Sequence, residues 1–140
     1  MLAVPADFQS HFRKSPVTDP WEPLYSRRRR DGIDLLFEVS AAHCNSRGFL
    51  HGGVLAALCD NIMGMSLGTV IDNPNANIVT INLALDYLGS AKVGDSILIE
   101  PRVLRAGNSI GSCDALVKCG DKLIARSNAN FSVRVLEPRS

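Results

Sequence analysis

Asp60 is the only carboxylate in the one long helical pattern of the chain, and its neighbours on the helix surface are small or apolar. The apolar spacing predicts a helix over residues 54–68. At about 100° per residue, Asp60 lies opposite the main apolar stripe. Burying an unpaired charge is costly, so this carboxylate is either paired or functional. Desolvation makes a carboxylate a stronger base near neutral pH, which favours a catalytic role. The alternative is a structural carboxylate that caps a loop or bonds a neighbouring strand.

A glycine pair opens the same helix. Gly52 and Gly53 let another group approach the backbone closely, and the N–H groups of a helix start are free donors favoured by the dipole. Such donors bind phosphate or polarise a carbonyl. His51 is nine residues from Asp60, about 900° around the helix, so the two point to opposite sides. One chain cannot easily bring both to one small substrate, which predicts a homodimer with shared sites.

The elements that position these groups are one helix and five strands. Residues 1–30 contain four prolines and are predicted to form an irregular lead-in, with a short helix at about residues 6–14. Residues 31–140 are predicted to form a single domain. One substantial helix must cover the apolar face of the sheet, so a two-layer α+β fold is expected. Apolar alternation predicts strands over residues 33–40, 79–87, 97–104, 110–118 and 123–135.

The same patterns predict which side chains share a face. On the helix, Met63 and Leu67 fall on the side of Asp60. In the strand after the helix, Thr80 is expected on the opposite face from the apolar residues. The apolar stripe of the helix is Val54, Leu55, Leu58, Ile62 and Met65. The apolar face of that strand is Val79, Ile81, Leu83, Leu85 and Tyr87.

Size and composition are those of an ordinary globular domain. The chain has 140 residues, 46% of them hydrophobic, and a net charge of +1, so no nucleic-acid partner is expected. No stretch is expected to approach the roughly 20 apolar residues of a membrane span, so no membrane partner is expected either. The four cysteines contain no CxxC pair, which is typical of a reducing compartment; the cytoplasm is the expected location.

The residues around the helix start resemble a family signature. Residues 45–53 read NSRGFLHGG and residues 58–61 read LCDN. This is similar to the N-x-x-G-x-x-HGG-(6)-D signature of hotdog-fold acyl-CoA thioesterases, in the phenylacetate-degradation (PaaI-like) branch. Shorter matches follow in the same order at residues 79–83, 91–95, 105–107 and 123–126. The resemblance covers residue 32 to the end of the chain and implies a hotdog fold, an antiparallel sheet wrapped around one long central helix.

The resemblance also implies an activity and roles for its residues. The reaction is hydrolysis of an acyl- or aryl-CoA thioester to a carboxylic acid and free CoA, with no cofactor and no metal. The N–H of Gly52 would polarise the thioester carbonyl. Asp60, from the facing subunit, would act as general base or as nucleophile, and the choice stays open. Asn45 would position the carbonyl or the water, and Thr80 would orient the water. His51 would shape the pocket.

The residues that bind CoA are implied less completely. Gly89-Ser90 stands where the family usually has Arg-Pro or Ser-Pro, and Asn108 replaces a family arginine. The basic residues Lys92, Arg105 and Arg126 remain as candidate phosphate partners. The full set of implied substrate-binding residues is His51, Gly53, Lys92, Arg105 and Arg126.

Several alternatives stay open. The run at residues 27–30, four arginines, could contact CoA phosphates or an acidic partner, or form a solvated turn. The apolar acyl group would suit the helix end, at Met63, Met65 and Leu67. The spacing of the possible metal ligands fits no recognised pattern, so no metal is expected; these residues are His43, Cys44, His51 and Asp60.

A hotdog hydratase or dehydratase and a non-catalytic acyl-CoA-binding module are the competing functions. Two dimers are expected to pair into a homotetramer.

Overall fold

One long helix lies against a single antiparallel sheet. The computed structural model describes residues 2–136, in which the sheet has seven strands. Two short 3-10 helices, Asp19–Trp21 and Ala41–His43, lie in the connections. This is the predicted α+β hotdog architecture. The elements are β1 Gln9–Ser10, β2 Tyr25–Arg29, β3 Gly32–Glu38, α1 Gly52–Ile71, β4 Ala76–Tyr87, β5 Ser96–Ala106, β6 Ile110–Cys119 and β7 Lys122–Val135. The order of the strands in the sheet is β1-β2-β3-β5-β6-β7-β4.

The lead-in contributes strands to the sheet. β2 pairs with β3 from Tyr25 to Arg29, so the sheet continues across the boundary expected at residue 30. The short helix expected at residues 6–14 is wrong: Gln9 and Ser10 form β1, which pairs with β2. Pairing with the open edge of β2 satisfies the backbone groups that a helix would otherwise have satisfied.

The core lies between α1 and the sheet. Ile33, Leu35 and Phe37 of β3 are 0% exposed and belong to the main cluster. Met63 and Leu67, expected on the side of Asp60, are also 0% exposed in that cluster. The curved sheet covers a wider arc of the helix than the predicted stripe, so these two residues are unavailable to an acyl chain. The buried residues of α1 are Leu55, Leu58, Cys59, Ile62, Met63, Ser66 and Leu67.

α1 is longer and more apolar than its predicted span. It has 20 residues and, by length and composition alone, could cross a membrane. The expectation that no stretch approaches a membrane span was therefore wrong. Its buried side chains pack into the core against the sheet, which is the arrangement of a core helix.

A β-bulge in β4 changes which of its side chains meet the helix. The register with β7 shifts between Thr80 and Asn82, so Ile81 is the extra residue. Before the bulge Thr80 faces α1, and after it Leu83 does. Val79 and Ile81 are 53% and 55% exposed. The predicted apolar face was wrong in its first half, because one inserted residue reverses the alternation.

Candidate active site

Asp60 lies in the third turn of α1, opposite β4. The hydroxyl of Thr80 donates a hydrogen bond of 2.7 Å to Asp60 Oδ1. The bulge at Ile81 makes this contact, because regular alternation would have turned Thr80 away from the helix. Within residues 2–136, Oδ2 of Asp60 has no hydrogen-bond partner, and the residue lines a groove of about 670 Å³. One carboxylate oxygen is therefore held and the other is open to the groove.

The start of α1 leaves one backbone donor free. His51 is the N-cap, and its Nδ1 accepts a hydrogen bond of 2.9 Å from the Gly53 N–H. The His51 N–H donates to the carbonyl of His43 at 2.8 Å. Between them, the Gly52 N–H has no acceptor in the part of the chain that the structure describes. Gly52 is thus the available donor, while Gly53 uses its N–H in the cap.

Tyr87, which the sequence analysis missed, holds the Gly52 peptide. Its hydroxyl donates a hydrogen bond to the Gly52 carbonyl. A Cβ at Gly52 would lie 3.2 Å from Cζ of Tyr87, so the ring occupies the space that glycine leaves. Burial, and then the nearby Cys59, raise the pKa of Tyr87, which keeps the hydroxyl protonated as a donor. An aromatic residue on the helix-facing side at the end of β4 was the only signal in the sequence.

Asn45 organises the loop before the helix. Its side-chain oxygen accepts hydrogen bonds from the N–H groups of Arg47 at 3.0 Å and Phe49 at 3.2 Å. Gly48, at φ +82°, makes the turn in this loop. In a single chain, Asn45 therefore shapes the backbone leading to Gly52.

A single chain contains two separate half-sites. Gly52 and Asp60 are eight residues apart in α1, about 12 Å along its axis. The groove that contains Asp60 and Thr80 is not lined by Gly52, His51 or Asn45. An electrophile-polarising donor and a carboxylate are therefore present, but they do not face one small volume within one chain.

Residues 47–125 match the family model of the thioesterase superfamily. The chain belongs to this superfamily. A Pseudomonas aeruginosa protein, named as an esterase, is 32% identical over 132 residues, covering 94% of this chain and 98% of that protein. Human acyl-coenzyme A thioesterase 13 is 36% identical over 91 residues, 64% of each chain.

Solved structures of the superfamily share the fold. Zebra fish thioesterase superfamily member 2 is 25% identical with a TM-score of 0.75, over 83% of this chain and 89% of that one. A Streptococcus mutans protein solved with acetyl CoA is 26% identical with a TM-score of 0.74, over 84% and 94%. Both likenesses extend well beyond the helix and its signature.

The three basic residues suggested for CoA are dispersed in this superfamily member. Lys92 forms an isolated antiparallel β-bridge with Phe49 through the backbone. It therefore lies beside the loop that leads into the Gly52 end of α1. Arg126 forms a 2.7 Å ion pair with Asp86, and both are well exposed. Arg105 lies near the opposite end of α1, beside the β5–β6 turn. They do not form one cluster within the chain.

That placement of Arg105 follows from the register of its strand. Arg105 of β5 pairs with Ser112 of β6, which is next to Gly111. A Cβ at Gly111 would overlap the side chain of Leu67, near the last turn of α1.

The arginine run divides between two roles. Arg27 and Arg29 each form an ion pair with Asp34, at 2.7 and 2.8 Å, and Asp34 is 0% exposed. Hydrogen bonds to Asp34 raise the pKa of both arginines. A buried carboxylate needs such partners, so these two arginines serve the fold. Arg28 points the other way and lines the groove of Asp60, whereas Arg30 is exposed and does not line it.

The cysteines form neither a disulfide nor part of a metal site among the described residues. Among the described residues, no three His, Cys, Asp or Glu side chains are grouped to hold a metal. All four cysteines are free, and burial raises the pKa of Cys59 and Cys113 to about 12. Buried thiols with such pKa values are unreactive near neutral pH.

Proposed function

We propose that this protein hydrolyses an acyl-CoA or aryl-CoA thioester to a carboxylic acid and free CoA. The observation that carries the proposal is the pair of half-sites, a held carboxylate at Asp60 and a free N–H at Gly52, in a member of the thioesterase superfamily. The names of two relatives support CoA as the carrier, one an acyl-coenzyme A thioesterase and the other bound to acetyl CoA.

Each half-site supplies one part of the chemistry. The Gly52 N–H, strengthened by the helix dipole, stabilises the negative charge that develops on the thioester oxygen. Tyr87 holds the Gly52 peptide in place through its carbonyl. Thr80 holds one oxygen of Asp60, so the other oxygen takes a proton from water or attacks the carbonyl carbon. Labelled oxygen recovered in Asp60 after one turnover distinguishes nucleophile from base.

We propose a homodimer in which Gly52 of one subunit faces Asp60 of the other. β4 is an edge strand of the sheet, and its Val79 and Ile81 are 53% and 55% exposed. An exposed apolar edge strand is a surface that natural proteins pair or cover. Pairing of two β4 edges about a two-fold axis forms a continuous sheet and brings the two helices side by side.

A further pairing of dimers into a homotetramer is part of the same proposal. Leu116 lies on the sheet face away from α1 and is 45% exposed, whereas its neighbours Ala115 and Val117 point to the opposite face and are buried in the core. Size-exclusion chromatography with light scattering gives the state of the wild type and of two matched variants. Ile81→Lys is expected to separate the dimer and abolish activity, while Leu116→Lys stops assembly at the active dimer.

Mixing two inactive variants tests the shared site. Asp60→Asn removes the carboxylate, and Gly52→Pro removes the N–H donor. Each heterodimer regains one complete site, so an equal mixture recovers about a quarter of wild-type activity, half of the dimers times half of their sites. A mixture as inactive as its components assigns both groups to the same chain and overturns the shared site.

The activity itself is tested by release of the free CoA thiol from a panel of acyl-CoA thioesters. Asp60→Asn is expected to lose the activity, whereas Asp121→Asn, an exposed carboxylate in the β6–β7 turn, keeps it. No turnover of any thioester, or full activity of Asp60→Asn, overturns the proposal. Crotonyl-CoA hydration, measured in parallel, tests the hydratase alternative, and binding without turnover identifies a binding module.

The location is proposed from the thiols. Four free cysteines, two of them buried, suit a reducing compartment. We therefore propose that the enzyme works in the cytoplasm, which a fractionation experiment with a marker enzyme tests.

A further inference from the structure

A groove runs along α1 from Asp60 to the end of the helix. Its volume is about 670 Å³. One wall is β4, at one edge of the sheet, and the other wall comes from Phe12, Arg13 and Arg28, at the opposite edge. The curved sheet brings its two edges to the same side of the helix. The helix residues lining the floor are Asp60, Asn61, Gly64, Met65, Gly68 and Thr69.

Arg28 is turned into this groove by strand alternation. Its neighbours Arg27 and Arg29 point to the other face, where both bind Asp34. The Arg28 guanidinium lies 4.5 Å from the ring centroid of Phe12, and stacking of this kind holds its plane while leaving its N–H donors free. The side chain is therefore positioned without being neutralised.

The two arginines of the groove lack counter-charges. Neither Arg13 nor Arg28 has a carboxylate within 4.0 Å among the described residues, although Asp60 and Asp72 lie along the same groove. Two guanidinium groups on one wall repel each other, and an anion between them removes that cost. A guanidinium binds carboxylate or phosphate through two parallel hydrogen bonds, which fixes the orientation of the anion.

The strand that carries Arg28 meets α1 beyond Asp60, toward the end of the helix. Arg28 pairs with Ile33, whose N–H donates to Ser66 Oγ at 2.9 Å. Ser66 is six residues beyond Asp60 in α1, about 9 Å along the axis. On this geometry, a group of the substrate that meets Arg28 lies further along the groove than a thioester carbon at Asp60.

We propose that Arg13 and Arg28 bind an oxyanion carried by the substrate at a distance from its thioester. The anion is either a carboxylate at the far end of the acyl group or a phosphate of CoA, which share the same chemistry. This inference rests on the proposed thioesterase function and specifies its substrate class. Residues 12–28 lie outside the region that matches the family model, so the match to that model does not include the arginine wall.

Binding to the Asp60→Asn enzyme tests the inference without requiring turnover. Hexanoyl-CoA and adipoyl-CoA have the same chain length and differ by one terminal carboxylate. Isothermal titration of each measures the dissociation constant with and without Arg28→Gln or Arg13→Gln. Arg30→Gln is the matched control, because Arg30 is exposed and does not line the groove.

The source of the anion decides which ligand is affected. For an acyl carboxylate, Arg28→Gln weakens adipoyl-CoA binding about 10- to 100-fold and lowers the adipoyl-to-hexanoyl affinity ratio by that factor. For a CoA phosphate, both ligands weaken equally, and hexanoyl-pantetheine, which has no phosphate, is insensitive. If both arginine variants bind every ligand as the Arg30→Gln enzyme does, the inference is overturned. That result is independent of whether the wild-type enzyme cleaves thioesters, so failure of the proposed function is distinguishable.

Discussion

Replacing Gly52 with proline removes one backbone N–H while keeping the helix that carries it. Proline is tolerated at the first helical position, where its missing N–H has no partner within the helix. Gly52 is the first residue of α1, and the preceding His51 has φ -70° and ψ 130°, the extended conformation preferred before proline. The substitution therefore deletes the proposed carbonyl donor at little cost to folding.

Gly52→Ala is the matched control for this change, because it adds a Cβ and keeps the N–H. A Cβ at this position would lie 3.2 Å from Cζ and 3.3 Å from the hydroxyl oxygen of Tyr87, so both variants crowd that ring. The difference between the variants then measures the N–H alone. Removing one donor from an oxyanion hole lowers kcat about 100- to 1,000-fold, or about 2.7–4 kcal/mol, and we expect that ratio between alanine and proline.

Thiol release at saturating acyl-CoA gives kcat for the two variants, and circular dichroism with urea unfolding checks that both fold. Equal kcat values for the folded alanine and proline enzymes refute the role of the Gly52 N–H. If the two equal values also lie below that of the wild type, the loss is assigned to displacement of Tyr87.

Three further predictions concern the carboxylate, the core and pH. Thr80→Val removes the hydrogen bond to Asp60, so kcat is expected to fall about 10- to 160-fold, while Thr80→Ser retains activity; an unchanged valine variant contradicts this. The buried hydroxyl of Ser66 bonds two backbone groups, so Ser66→Ala is expected to lower the free energy of unfolding by about 1–3 kcal/mol, measured by urea titration. Burial lowers the pKa of His11 and His43, so the unfolded chain binds more protons than the folded one below about pH 6.5. The free energy of unfolding is therefore expected to fall with acidification from about pH 6.5, by at most about 1.4 kcal/mol per pH unit for each histidine, and His11→Phe should reduce that slope.

The elements of the fold were largely predictable because their signals are local. The long helix and the strands at Ile110–Cys119 and Lys122–Val135 follow from apolar spacing and turn residues, and the structure confirms them. The β1 and β2 strands were missed, because the prolines around them are typical of irregular chain. Their pairing depends on the edge of β3, which is far from β1 in sequence.

The candidate site was only partly predictable. The glycine pair and Asp60 were found from the helix pattern, whereas Tyr87 was missed and the roles of Asn45 and Thr80 came from resemblance alone. Met63 and Leu67 were wrong as pocket residues, because the curvature of the sheet buries them. Curvature is a property of the whole sheet and is not encoded in the spacing of one helix.

By itself, the sequence determined that a carboxylate lies on a long apolar helix opened by two glycines, because helical period and turn chemistry act between near neighbours. Only the tertiary structure decided what Asp60 meets. The bulge at Ile81 lets Thr80 face α1 together with Leu83, since one extra residue reverses the alternation between them. The register of β2 against β3 turns Arg28 into the same groove while its neighbours bind Asp34. Both outcomes depend on pairing between distant strands, which no local pattern contains.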